Sequence, residues 1–199
     1  MTVDNKLFLV AIPRGKMLSV AQAIQTKLNE KYNIYDPNKL PPLHVTIDHI
    51  TVHDEQEYSK AVKIISDICK KKAPFELTVN GFSFFETPHK SINLYVEKTQ
   101  CLQDLSIGIH ESLKKEGLSS RPFYHDWEFH ISLINTVFSA HDWSKEVFLQ
   151  AKELVQEWKV DLTCQVEWLE LWKPKYQPQL EIEEFFKLSG ENGLVESKE

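Results

Sequence analysis

Glycine is scarce in this chain: six among 199 residues, at 15, 81, 108, 117, 190 and 193. None belongs to a GxGxxG or GxxxxGKS/T pattern, which excludes the commonest phosphate-cradling backbone loops and leaves any phosphate to be held by side chains. Cysteine is scarcer. Cys69, Cys101 and Cys164 form an odd set without a CxxC spacing, so neither a disulfide framework nor a zinc knuckle is indicated and reduced thiols in a cytoplasm are expected. No apolar run approaches the ~20 residues that cross a bilayer, and Met1 to Lys6 lacks the basic start and apolar stretch of a secretory signal. Positive charge is also short. A formal net charge of −6 argues against tight binding of long nucleic acid, which draws on Lys and Arg contacts to many phosphates. There is no HExxH or comparable ligand spacing, and His44, His49 and His53 do not supply one, so no metal and no cofactor are expected. A GxSxG elbow for a serine nucleophile is missing too.

What is present is a pattern that occurs twice. Leu43-His44-Val45-Thr46-Ile47-Asp48 and Phe129-His130-Ile131-Ser132-Leu133-Ile134 both read apolar, His, apolar, hydroxyl, apolar. Such alternation predicts a half-buried strand, with His44 and Thr46 on one face and Leu43, Val45 and Ile47 in the core, and likewise for His130 and Ser132. HxS/T by itself has little specificity, for it also occurs at His49, His89 and His110. His110 is expected on the solvated side of a helix and His89 in a turn after Pro88. His49 is the rival to His44. On a regular strand an offset of five puts it on the opposite face, so only one of the two is expected in a cleft, and His44 is chosen.

Taken in order, Leu7 to Pro13 predicts a strand and Lys16 to Tyr32 an amphipathic helix; the first His strand follows, then a helix opened by Asp54-x-x-Glu57 and a strand from Phe75 to Phe85. The pattern restarts with a strand at Ile92 to Val96, a helix ending at Gly117, the second His strand, and a helix capped by Asp142. Two strands close it, Val160 to Trp172 and Leu180 to Leu188. The length supports one bilobal α+β domain over 1–188, with pseudo-repeats at about 7–86 and 91–188 and a polar tail at 189–199. The two histidines lie 86 positions apart and the strands starting near Leu7 and Ser91 lie 84 apart, so two lobes are expected to face their His strands across one cleft. The aromatic run Phe123-Tyr124-His125-Asp126-Trp127 is placed at the mouth of that cleft, as loop packing or as a surface on which a base could stack.

The paired motifs His44-Val45-Thr46 and His130-Ile131-Ser132, in an α/β chain of this length, resemble those of the 2H phosphoesterases, the superfamily of 2′-5′ RNA ligase-like proteins and cyclic phosphodiesterases. The resemblance extends to about Leu188. It implies a duplicated bilobal fold with two antiparallel sheets flanking a central cleft, helices outside, and metal-independent chemistry on 2′,3′-cyclic or related phosphodiesters. It assigns His44 and His130 as acid and base and Thr46 and Ser132 as phosphate-binding hydroxyls. Leu43 and Phe129 stand where many relatives carry proline, and Asp48 and Asn135 lie where a basic residue follows. With that charge missing, the expected partner is a small nucleotide or an RNA-terminal phosphate, and the expected state is a cytoplasmic monomer. A nucleotide- or RNA-binding module without turnover, or a ligase-like activity, is the alternative.

Overall fold

The structure, a computed structural model, describes residues 5–121, 127–139, 143–174 and 181–191. Its strands are β1 (Asn5–Ala11), β2 (Val45–Val52), β3 (Phe75–Phe85), β4 (Ser91–Val96), β5 (His130–Asn135), β6 (Asp161–Val166), β7 (Trp168–Lys173) and β8 (Glu181–Lys187). Its helices are α1 (Gly15–Tyr32), α2 (Glu55–Lys71), α3 (Gln100–Lys115) and α4 (Lys145–Gln156). Local chemistry explains the ends. The Asp54 carboxylate accepts from the Glu57 N–H at 2.8 Å, and Glu57 accepts from the His53 N–H in return, the expected capping box set one residue outward. Helix α3 stops where Gly117 takes φ 73°, a left-handed conformation that glycine adopts without a Cβ penalty. Helix α4 is capped by Ser144, whose hydroxyl accepts from the Val147 N–H at 3.1 Å. This corrects the cap expected at Asp142, which lies outside the described residues together with Phe123 to Asp126, Leu180 and 192–199.

All strand pairs are antiparallel, in the order β6-β3-β4-β5-β2-β1-β7-β8. The two His strands sit at the centre. They meet at one residue pair, Val45 opposite Ile131, so the sheet consists of two four-stranded halves joined at a narrow seam. The β2 half draws on both ends of the chain, because β7 and β8 pair outward from β1, whereas the β5 half is built from the middle, β3 to β6. Helices pack on one face only. Helix α1, which follows β1, covers β5 and β6 of the other half, and α2 and α3 cover β2. That face holds a continuous apolar core with Leu7, Leu9, Val45, Ile47, Leu94, Ile131, Leu169 and Leu171 at its centre. The opposite face of the seam is left for the His motifs.

The single strand expected over Val160 to Trp172 is two. Strand β6 ends at Val166 on one edge of the sheet, and after Glu167 the chain is β7, which pairs with β1 in the far half. One intervening residue spans at most ~7 Å. The eight-stranded sheet must therefore curl until its halves nearly touch, which makes the seam face concave. No proline or glycine marks the break; the apolar phase slips there by one residue, from Leu162, Cys164 and Val166 to Leu169 and Leu171.

Candidate active site at the seam

The pair Val45 opposite Ile131 follows each motif histidine by one residue. Continued by one residue in each direction, this register sets His44 opposite Ser132 and Thr46 opposite His130. Val45 and Ile131 point into the core and alternation puts all four motif side chains on the concave face, where each is half-buried. His44, Thr46, His130 and Ser132 thus stand together at the seam as one four-cornered arrangement.

The two imidazoles are held alike. His44 Nδ1 is 2.9 Å from the Pro42 carbonyl and His130 Nδ1 is 2.9 Å from the Glu128 carbonyl, in each case two residues back. A carbonyl can only accept, so Nδ1 carries the proton and Nε2 of the neutral ring is left with its lone pair toward the cleft. Each ring also abuts an aromatic edge-on, His44 with Trp172 at 4.7 Å and His130 with Phe85 at 4.9 Å between centroids. These aromatics come from β7 and β3, at matching places in the two halves: Leu171 pairs with Leu9 as Phe84 pairs with Ile92, and the aromatic follows in each case. Neither was singled out in the sequence, since one tryptophan or phenylalanine in a strand reads as core.

Burial depresses the pKa of both rings. For His44 it pulls the value down to about 4; the Pro42 carbonyl opposes this and the neighbouring charge of His130 adds to it. His130 is lowered by burial, against the Glu128 carbonyl and carboxylate. Both rings are therefore neutral at neutral pH. An anion between them reverses the balance, because an opposite charge within ~4–6 Å favours the imidazolium.

The hydroxyls differ. Ser132 Oγ donates to Asn93 Oδ1 at 3.1 Å, and Asn93, fully buried, is fixed by donating to Ser91 Oγ at 3.1 Å. Thr46 instead pairs with Val10, which offers no polar atom, and among the described residues its hydroxyl has no protein partner. It is the readier of the two to donate to a ligand.

The opposite-face expectation for His49 is overturned. Leu9 pairs with Asp48 and Val10 with Thr46, which leaves Ile47 as a β-bulge. A bulge inserts one residue and resets the alternation. His49 consequently shares the face of His44 and Thr46, pairs with Phe8, and lies edge-on to Phe8 at 4.7 Å and to Trp127 at 5.4 Å. Strand β5 carries a bulge at the corresponding place, since Ile92 pairs with Ile134 and Asn93 with Ser132, skipping Leu133.

His110 also departs from expectation: it is 4% exposed rather than on a solvated helix face. Its Nδ1 lies 3.1 Å from Asp48 Oδ2. Asp48, fully buried, also accepts from Ser119 Oγ at 3.1 Å and the His49 N–H at 2.8 Å, with Arg121 Nε 3.9 Å away. Burial raises the Asp48 pKa, and Arg121 and His110 lead the groups that pull it back. The Arg121 guanidinium donates to the Ile47 carbonyl at 2.6 Å, and Ser106 donates to the same oxygen at 3.2 Å. The carbonyl that the bulge turns out of the ladder is thus satisfied by buried donors. His89, as expected, is exposed in the bend after β3. Among the described residues no three of His, Cys, Asp and Glu are grouped as metal ligands would be, and no helix is long and apolar enough to cross a membrane.

A curled antiparallel sheet with helices on one face and two HxS/T motifs facing each other at its seam is the architecture of the 2H phosphoesterases. The sequence model of the 2′-5′ RNA ligase superfamily matches residues 16–176, and the chain belongs to that family. The protein named "Putative phosphoesterase OB1230" from Oceanobacillus iheyensis is 33% identical over 110 residues, a match spanning 55% of this chain and 64% of the relative's length. The crystal structure of TT0787 from Thermus thermophilus superposes with a TM-score of 0.68 at 16% identity, over 94% of this chain and 100% of that one. LigT of E. coli in apo form gives 0.57 at 13% identity over 94% and 98% of the respective chains, and LigT has also been solved with phosphate, 3′-AMP, ATP and NADP+. Likeness at these identities establishes the fold.

Proposed function

We propose that the protein is a metal-independent phosphodiesterase that opens 2′,3′-cyclic or related phosphodiesters of small nucleotides or RNA ends, with His44 and His130 as acid and base and Thr46 and Ser132 on the phosphate. One observation carries the reading: two half-buried imidazoles, each with Nδ1 tied to the carbonyl two residues back, flank the single pair that joins the half-sheets. In-line displacement needs a base for the attacking water and an acid for the leaving ribose oxygen on opposite sides of phosphorus, and two rings facing across a seam supply both. The free protein holds both rings neutral. The incoming anion raises their proton affinity, so binding itself recruits the proton that the acid then delivers. The Thr46 hydroxyl, without a protein partner, donates to a non-bridging oxygen. LigT's complexes with phosphate and nucleotides support a ligand of this class. In this reading the partner is a small molecule or an RNA terminus, and the chain acts as a cytoplasmic monomer.

The test is incubation with nucleoside 2′,3′-cyclic phosphates and with ADP-ribose 1″,2″-cyclic phosphate, in EDTA and without it, with product identification. Turnover that survives chelation and vanishes in His44→Ala supports the proposal. Saturable binding without product would replace it with a nucleotide-binding module, and activity lost to EDTA and restored by a divalent ion would overturn the mechanism.

A further inference from the structure

His49 is the third imidazole on the concave face, and it is bound differently from the other two. The rings of His44 and His130 each spend one nitrogen on a backbone carbonyl. His49 holds position through its backbone, donating its N–H to Asp48 and accepting from the Ser120 N–H at 2.9 Å, while its ring lies between Phe8 and Trp127. Among the described residues neither ring nitrogen has a protein hydrogen-bond partner, and neither is sealed from solvent. Nitrogens that face the cleft and spend no hydrogen bond on the protein are open to a ligand group that displaces water from them. The surroundings are rigid. Arg121 stacks under Trp127 at 4.6 Å and binds the bulge carbonyl of Ile47, so one buried guanidinium fixes both the bulge that turns His49 inward and the ring beside it.

The corresponding position in the other half is Asn135, five residues after His130. Its side-chain oxygen is committed to the Val137 N–H at 3.0 Å, and its backbone is tied to the Tyr35 hydroxyl. The cleft is thus asymmetric: one end offers an imidazole framed by aromatics with both nitrogens uncommitted, the other an amide whose oxygen already holds a backbone N–H. We infer that His49 is a substrate-contacting residue that reads the nucleoside part of the substrate, through a hydrogen bond to a ribose hydroxyl or a base edge, rather than the reacting phosphate. Past the bulge, His49 stands one side-chain step beyond Thr46, ~6–7 Å along the strand, where a group bonded to the phosphate would lie. Burial and the nearby Arg121 cation also keep the ring neutral at neutral pH, so it can donate and accept as hydroxyls and bases require.

The inference rests on the phosphodiesterase reading, and the experiment separates the two. Wild type, His49→Phe and His49→Ala are assayed on a nucleoside 2′,3′-cyclic phosphate and on glycerol 1,2-cyclic phosphate, which has the reacting ring but no nucleoside. His49→Phe keeps the aromatic packing if alanine does not fold. The expected result is a roughly tenfold rise in KM for the nucleoside substrate with kcat nearly unchanged, and no change on the glycerol substrate, as befits one lost hydrogen bond. An equal loss on both substrates, or no loss on either, overturns the inference. If wild type turns over neither substrate, the phosphodiesterase reading fails, and His49 is tested by titrating inorganic phosphate and 3′-AMP into wild type and His49→Phe. Selective weakening of 3′-AMP then sustains the role of His49, whereas unchanged affinities or no binding at all reject it.

Discussion

The two halves of the sheet share one plan and differ in what fixes it. Each has a histidine whose Nδ1 bonds the carbonyl two residues back, a bulge three residues after that histidine, and an edge-on aromatic from the next strand but one. In the β2 half the position after the bulge is Asp48, buried among His110, Ser119 and Arg121; in the β5 half it is Ile134, buried in the core. Beside the hydroxyl the contrast reverses, with apolar Val10 facing Thr46 and polar Asn93 facing Ser132. The shared features are those that aim an imidazole across the seam. The differing ones decide which polar groups remain available to a ligand.

The largest effect expected is equal in both halves. His44→Ala and His130→Ala should each lower turnover of a cyclic nucleotide by roughly 10²–10⁴-fold, and the double variant should lose less than the product of the two. A variant in one half that retained activity would break the symmetry. Asp48→Ala, by contrast, should act in its own half. Removing one partner from a buried charge cluster costs about 3–5 kcal/mol, read as a lower denaturant midpoint at unchanged slope. If the variant keeps wild-type stability, the cluster does not hold the bulge.

The hydroxyls should separate more modestly. Thr46→Ala should raise KM by roughly 10–100-fold, the worth of a hydrogen bond to a charged group, and Ser132→Ala by less than about tenfold because that hydroxyl is already engaged by Asn93. The reverse order would show that Asn93 turns away when substrate binds. The smallest effect lies in the acid dependence of stability. His44 and His49 have folded values of about 4, below the unfolded ~6.5, so the unfolded chain binds more protons across that window. Their contribution is therefore fully present above pH ~6.5 and is lost as pH falls through about 4. Denaturation of His49→Phe at pH 7.5 and 5 should show a shallower acid loss than wild type.

Much of this was visible in the chain. The alternation around His44 and His130 placed both motifs on strands, and the spacing brought them together. The bulges were visible too, had the phase been followed further: Leu43, Val45 and Ile47 give way to Ile50 and Val52, a slip of one residue, and Leu133 is followed at once by Ile134. Assuming an unbroken period sent His49 to the wrong face. His110 was misplaced because helix periodicity cannot register a carboxylate that arrives from a strand 62 residues away. The break at Glu167 carries no glycine or proline, and its one trace is a slip of phase from Leu162, Cys164 and Val166 to Leu169 and Leu171. Trp172, Phe85 and Asn93 gave no local signal, since their roles depend on which strands become neighbours.

In the proposed reaction two imidazoles, both neutral in the free protein, share one proton. The pH dependence of kcat/KM, which reports the free enzyme, tests this most directly. It should be a bell with both limbs below pH ~6.5, because burial lowers His44 to about 4 and His130 below its ordinary value, and the limbs of kcat should shift upward once the anion is bound. A rate independent of pH from 4 to 8, or a falling limb set by a group titrating above ~8, would contradict it.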